Sequence, residues 1–154
     1  MSTDEFFMAK ALQLAEQAGA VGEVPVGALV VKDGEIIGEG YNQPISGRDP
    51  TAHAEIVAMR NAAGNINNYR LSDCDLYVTI EPCTMCVGAM IHGRIGRVIF
   101  GAAEPRAGAL QSQLQLMDQS HFNHSFEWFG GVLEQQCGDL ISRFFRRKRE
   151  NKRE

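Results

Sequence analysis

A chain of 154 residues, 44% hydrophobic and 22% charged, has the composition of one ordinary globular domain, long enough to bury roughly two-thirds of its unfolded surface. No apolar run approaches the roughly 20 residues of a membrane span, and Met1-Ser2-Thr3-Asp4-Glu5 lacks the basic start of a secretion signal, so a cytoplasmic protein is expected. A net charge of −4 gives no reason, taken whole, to expect a nucleic-acid partner.

Phe7, Met8, Ala11, Leu12, Leu14, Ala15 and Ala18 recur at helical spacing and predict a helix over Asp4–Ala20, broken by Gly19 and Gly22. Val24 to Lys32 is a β-branched run ending at Asp33-Gly34, a strong hairpin signal, and Glu35–Tyr41 is the returning strand. After a polar loop, Ala52–Ala63 reads as a helix that Gly64 stops. Cys74–Ile80 is a third strand. Pro82 suits the first position of a helix running to Gly93. Arg97–Gly101 is a fourth strand. Residues 102–125 read as a loop followed by a short amphipathic piece at Leu110–Met117. Phe126–Leu133 holds a fifth strand interrupted by Gly130-Gly131, and a helix over Glu134–Lys148 closes the chain. A hairpin that continues through βαβ crossovers gives a three-layer α/β/α sandwich around a mixed five-stranded sheet. The connections are too short for two domains, so residues 1–154 are expected to form one.

The charge is unevenly placed. Residues 143–154 carry seven basic side chains (Arg143, Arg146, Arg147, Lys148, Arg149, Lys152, Arg153) against two glutamates, leaving the other 142 residues at −9. A basic C-terminal tail on an acidic body is what a local phosphate-contacting patch looks like. A solvated helix end, whose cations complement the helix dipole, would look the same.

His53 and the pair Cys83 and Cys86 offer three ligands of the kinds a tetrahedral zinc prefers. A fourth position left open would hold water, whose pKa bound zinc lowers towards roughly 7. Glu55, two residues after the histidine, is placed to move protons. His-x-Glu with Pro-Cys-x-x-Cys is a recognised mark of zinc-dependent nucleobase deaminases. Both halves fall at helix starts, where free N–H groups favour thiolates, and Cys83 and Cys86 share one helix face. Two other uses of these residues stay open. His92, His121 or His124 could close a purely structural zinc site. A redox Cys-x-x-Cys would need a thioredoxin-type context, which is missing. Cys74 and Cys137 are expected to be small buried residues.

Several stretches together resemble the bacterial tRNA-specific adenosine deaminases, of the cytidine deaminase-like superfamily. They are Val24-Pro-Val-Gly-Ala28, Gly40-Tyr-Asn-Gln-Pro44, Asp49-Pro-Thr-Ala-His-Ala-Glu-Ile56, Leu76-Tyr-Val-Thr-Ile-Glu-Pro-Cys83, Met85-Cys-Val-Gly-Ala-Met-Ile-His-Gly-Arg-Ile95, Asn123-His124 and Phe144-Phe-Arg146. The resemblance implies zinc on His53, Cys83 and Cys86, one ion per subunit, with Glu55 as proton shuttle. It also implies hydrolytic conversion of the wobble adenosine of a tRNA anticodon, most often an arginine tRNA, to inosine by a homodimer. Asn42 would then reach the flipped base, Val26 would pack on it, and the backbone at Ala54 and Glu81–Pro82 would line the pocket. Asn42 is otherwise an ordinary strand-end turn residue. Glu104, Arg106, Asn123, His124, Phe145 and Arg149 would meet flanking nucleotides; Phe145 beside basic residues suits stacking plus phosphate contact. Glu104 and Arg106 stand where the commoner family form has aspartate and lysine. Met85, Met90 and Ile91 are candidate dimer-interface residues.

Two other functions use the same residues. A guanine, cytosine or dCMP deaminase of the same fold would have no use for the basic tail. A zinc-stabilised RNA-binding module would have no use for Glu55.

Overall fold

The structure, a computed structural model, describes residues 1–153. Of the basic tail, Glu154 and the side chain of Arg153 lie outside the described residues.

Helix α1 spans Thr3–Ala20, and its start is fixed by a capping box: the Ser2 hydroxyl accepts from the Glu5 N–H, and the Glu5 carboxylate accepts from the Ser2 N–H. Strands β1 (Gly27–Lys32) and β2 (Glu35–Tyr41) are joined by Asp33 and Gly34, both at positive φ (52° and 80°), as a tight hairpin turn requires. Helix α2 (Ala54–Ile66) follows, then β3 (Asp75–Ile80), α3 (Thr84–His92), β4 (Arg97–Ala102), a 3₁₀ turn at Leu116–Asp118, β5 (Glu127–Phe129) and α4 (Glu134–Arg153). The strands form one mixed sheet in the order β2-β1-β3-β4-β5. β1 is antiparallel to both neighbours, and β3, β4 and β5 run parallel.

Successive side chains of a strand point to opposite faces, and the two cores divide on that alternation. Ala28, Val30, Leu76, Val78, Val98 and Phe100 pack against Ala54, Ala58 and Ala62 of α2 and Val87 and Met90 of α3. Leu29, Val31, Tyr77 and Ile99 pack against Phe7, Met8 and Ala11 of α1 and Cys137 of α4. The expected α/β/α sandwich is present, with α2 and α3 side by side on one face. On β2, Gly38 and Gly40 lie so close to the backbone of α2 that a Cβ at either would collide with Ala58 or Ala62. That contact sets the height at which α2 begins. Asn61 and Asn65 of the same helix donate to the carbonyls of Glu39 and Ile37 (both 2.7 Å), occupying acceptors that the edge strand would otherwise expose. Cys74 and Cys137 are buried free thiols, as expected.

Some expectations fail. Gly64 does not stop α2, which runs to Ile66 and ends on left-handed Asn67 (φ 53°). Pro82 is not the first residue of α3; extended Cys83 is the cap and Thr84 the first helical residue. The piece at Leu110–Met117 is not helical apart from its last turn. The N–H groups of Leu110, Gln111 and Ser112 donate instead to the Glu81 carboxylate, outside the segment. β5 is only three residues long, because the chain turns at Gly130, pressed on the Phe100 ring, and at Gly131 (φ 95°). Met90 and Ile91 are 0% and 4% exposed, packed inward on the sheet, and so are not available to a partner; Met85, 36% exposed, is.

A candidate metal-dependent active site

His53 and Cys83 are the residues that cap α2 and α3. Both are extended (φ −67°, ψ 153° and φ −81°, ψ 174°), and neither side chain makes a capping hydrogen bond at its helix. A serine or aspartate at such a position would spend its side chain on the helix N–H groups. These two leave theirs to face each other across the gap between the helices. Cys86, one turn into α3 and fully buried, completes the group.

The Nδ1 atom of His53 lies 3.6 Å from Cys83 Sγ and 3.5 Å from Cys86 Sγ, and the three donor atoms all fall within 4.8 Å of one another. Tetrahedral zinc, with bonds of about 2.3 Å to sulfur and about 2.0 Å to nitrogen, places N and S about 3.5 Å apart. The donors therefore fit zinc in both kind and spacing, through Nδ1 of the histidine. Among the described residues no other His, Cys, Asp or Glu joins this group. His92 is exposed on the outer side of α3, His121 stacks on Phe122, and Nε2 of His124 meets the carbonyl of Ile95 at 2.7 Å. The closed structural site is thus not what these residues build.

The charges agree. A hydrogen bond with the Cys86 thiol, and then one with His53, bring Cys83 down to about 4, so it is a thiolate. The same bond, with burial, pushes Cys86 up. One proton is shared by the two sulfurs, and binding a metal to both releases it. The hydrogen bond to Cys83 raises His53 above its ordinary value. Glu55, 4% exposed at the second residue of α2, is pushed up by burial to about 7, where a carboxyl can both take and give a proton near neutrality.

Asn42 stands where β2 ends. Its side-chain carbonyl accepts from the Ala54 N–H (3.2 Å), and its own N–H donates to the Val26 carbonyl (3.1 Å). The bland role and the expected one are therefore compatible: Asn42 caps the metal-site helix with its oxygen and keeps its amide NH₂ to donate. Ala54 is fully buried and its N–H is committed to Asn42, while Val26 packs on the cluster containing Ala54 and Cys86.

The residues expected to meet flanking nucleotides divide into two groups. Glu104, Arg106, Phe145 and Arg149 line one groove of about 600 Å³ between the loop after β4 and helix α4, with Pro105, Ile141 and Arg146. Phe145 is 39% exposed there, whereas its neighbour Phe144 turns towards Gly19 and Ala20 of α1. Asn123 and His124 do not line this groove; they are tied to Arg94 and Ile95 beyond the end of α3. Two buried carboxylates were missed. Glu23 accepts from the N–H groups of Ile45 (3.2 Å) and Ser46 (2.6 Å) and so holds the loop that follows Asn42, and Glu81 holds the loop that follows β4. Glu81 set between Ile80 and Pro82 was the available signal for one, whereas Glu23, after Gly22 and before Val24, carried none.

Comparison with known proteins accords with this geometry. Residues 1–102 match the family model for the cytidine and deoxycytidylate deaminase zinc-binding region. The tRNA-specific adenosine deaminase of Haemophilus influenzae is 52% identical, over 97% of this chain and 87% of its own length. A structure solved in studies of A-to-I editing by tRNA:A34 deaminases at the wobble position superimposes with a TM-score of 0.86 at 39% identity, covering 88% of this chain and 98% of that one. The guanine deaminase of Bacillus subtilis is more distant in shape, with a TM-score of 0.62 at 36% identity over 71% of this chain and 81% of its own. With its His-Cys-Cys group, a carboxylate beside it and near-full-length likeness of this kind, the chain belongs to the zinc-dependent deaminases and, among them, to the tRNA-specific adenosine deaminase family.

Proposed function

We propose that this protein hydrolyses the wobble adenosine of a tRNA anticodon, most often of an arginine tRNA, to inosine and ammonia, in the cytoplasm. The observation that carries the reaction is the His53–Cys83–Cys86 group with Glu55 buried beside it. Support for the substrate comes from the 52% identical relative and from the groove that pairs an exposed Phe145 with Arg106 and Arg149. One deaminase domain spans the chain, since α1 and α4, from its two ends, cover the same face of one sheet.

His53, Cys83 and Cys86 would hold the zinc, which when bound supplies a water acidified to a pKa of roughly 7. Glu55 takes a proton from the attacking water and passes it to purine N1 as C6 becomes tetrahedral. It then takes the remaining proton of the hydroxyl added at C6 and delivers it to the amine, so that the C–N bond breaks, ammonia leaves and C6 becomes the carbonyl of inosine. Burial near α2's first turn keeps bulk water from competing for that carboxyl. The NH₂ of Asn42 donates to the base, and Val26 packs on it. The base must leave its stack to reach the site, which an anticodon loop permits more readily than a duplex.

The working unit is a homodimer, joined through the apolar groove of about 480 Å³ on the outer side of α2 and α3, where Tyr69 and Met85 are exposed beside Ile56, Met59 and Ala89. Sedimentation equilibrium tests this; a monomer at assay concentrations would refute it.

The deciding assay is an anticodon stem-loop with adenosine at the wobble position, scored for inosine. Glu55→Ala should keep zinc and RNA affinity and lose nearly all turnover, while His53→Ala should also lose the zinc, measured per chain. Full activity in Glu55→Ala would sink the mechanism. Activity on free guanine with none on the stem-loop would make the chain a small-molecule deaminase.

A further inference from the structure

We propose that Glu81 is a positioning residue for the substrate RNA: its carboxylate fastens the Glu104–Arg106 rim of the groove to the strand end that carries Cys83. The inference rests on the RNA reading above and names a residue that makes that site work.

A carboxylate that is 2% exposed must be compensated or it destabilises the fold. Among the described residues Glu81 has no cationic partner. Its compensation comes wholly from hydrogen bonds, and every donor belongs to one loop. Oε1 accepts from the Glu104 N–H (3.1 Å) and the Ser112 hydroxyl. Oε2 accepts from the N–H groups of Leu110 (3.1 Å), Gln111 (2.8 Å) and Ser112 (2.9 Å). The loop is neither helix nor strand, so these bonds replace the ladder that regular structure would give it.

Gly108 makes the arrangement specific. A Cβ there would overlap the Glu81 carboxylate itself, so the loop closes over this side chain only because residue 108 has none. The other end of the loop is also tied down, by the Ala109 N–H on the Pro82 carbonyl (2.9 Å) and by the Gln113 side chain on the Pro105 carbonyl (2.7 Å). Glu104, Pro105 and Arg106 then face Phe145 and Arg149 across the groove. One acidic side chain, two residues from a metal ligand, thereby fixes the separation between the reacting centre and the surface for the neighbouring nucleotides.

Glu81→Gln tests this, because its NH₂ presents hydrogens where backbone N–H groups need an acceptor. The stem-loop assay is run with zinc per chain, thermal midpoint and amide hydrogen exchange measured on the same samples. Wild type should make inosine. In Glu81→Gln, KM for the stem-loop should rise about tenfold or more, with kcat within about twofold. Zinc should remain at one per chain, and the Leu110, Gln111 and Ser112 amides should exchange faster. Gly108→Ala, which displaces the loop while leaving the carboxylate in place, should give the same KM signature and carries the test if Glu81→Gln does not fold. An unchanged KM in a folded variant overturns the proposal. So does a fall in kcat that tracks lost zinc, which would make Glu81 part of the metal site's construction. If wild type makes no inosine, the RNA reading fails and this inference goes with it.

Discussion

On the proposed function, Asn42 would belong to the scaffold and to the chemistry at once. Its oxygen satisfies the Ala54 N–H, one of the helix donors that His53, as cap, leaves unserved because its ring faces the cysteines. Its NH₂ is the part that the proposed reaction would use to hold the base. The two halves separate by substitution. Asn42→Asp keeps the acceptor and adds a negative charge at a helix N-terminus, worth about 0.3–1 kcal/mol, so the fold should be as stable or more so. It loses the donor, and kcat/KM on the stem-loop should fall roughly tenfold or more. Asn42→Ala loses both functions and about 1 kcal/mol of stability as well. Thermal unfolding beside steady-state kinetics checks the pair. Full activity in Asn42→Asp would leave Asn42 as a helix cap and nothing else.

At the level of elements, α1 is held to the sheet by a polar staple as well as by its apolar face. Arg97 of β4 donates to Asp4 at 2.9 Å and to Asp75 of β3 at 3.0 Å, and the Tyr77 hydroxyl donates to Asp4 at 2.6 Å. Burial pushes the Asp4 carboxyl up, but the bonds from Tyr77 and Arg97 outweigh it and hold the group below its ordinary value. A carboxyl lowered by folding contributes stability above its unfolded pKa, near 4, and loses that contribution as pH falls through its folded value. Asp4→Asn should therefore unfold at a lower temperature than wild type at pH 7, and the gap should narrow as pH falls below about 4. An equal gap at pH 7 and pH 3 would show that the effect is not the ionised carboxylate.

Most elements were legible because each is announced locally. Asp33-Gly34 fixes the β2 boundary to the residue, and the apolar period of α1 needs no tertiary help. The candidate metal group was legible for the same reason, since one histidine and two cysteines at such spacing carry their own chemistry, and the structure brings the three together. Where reading failed, the deciding partner lay far along the chain. The amides of Leu110–Ser112 are claimed by Glu81, about 30 residues away, and no window centred on Leu110 contains it. Met90 and Ile91 look like surface candidates until α3 is seen lying on the sheet. The place of Asn123 and His124, beside Arg94 and Ile95 and apart from the groove that Phe145 lines, is likewise set by distant partners that no local window contains.

For the whole molecule the question is how a chain at −4 would hold the proposed RNA substrate. The body carries −9 and the last helix the opposite sign, so attraction for a polyanion would be confined to one edge and would select an orientation for the proposed RNA. Arg146 and Arg149 line the groove with Phe145, whereas Arg143 and Arg147 flank Phe144 on the side of α1. Deleting 143–154 would therefore remove the packing of Phe144 along with the charge and confuse the two. Replacing Arg146, Arg147, Lys148 and Arg149 together by glutamine removes the charge and keeps Phe144 in place, giving up only the Lys148 contact over its ring, and all four are exposed. If each side chain meets a phosphate of a single-stranded loop, the slope of log K against log salt should flatten by about 0.7 per contact, or about 3 in all. Binding at low salt should weaken, while zinc per chain and the thermal midpoint stay as they are. Turnover at saturating RNA should also hold, because Glu55 and the His53–Cys83–Cys86 group lie outside the altered helix. An unchanged slope would make the tail a solvated helix end and put the affinity elsewhere, with the Glu104–Arg106 rim and the Asn123–His124 loop the remaining surfaces.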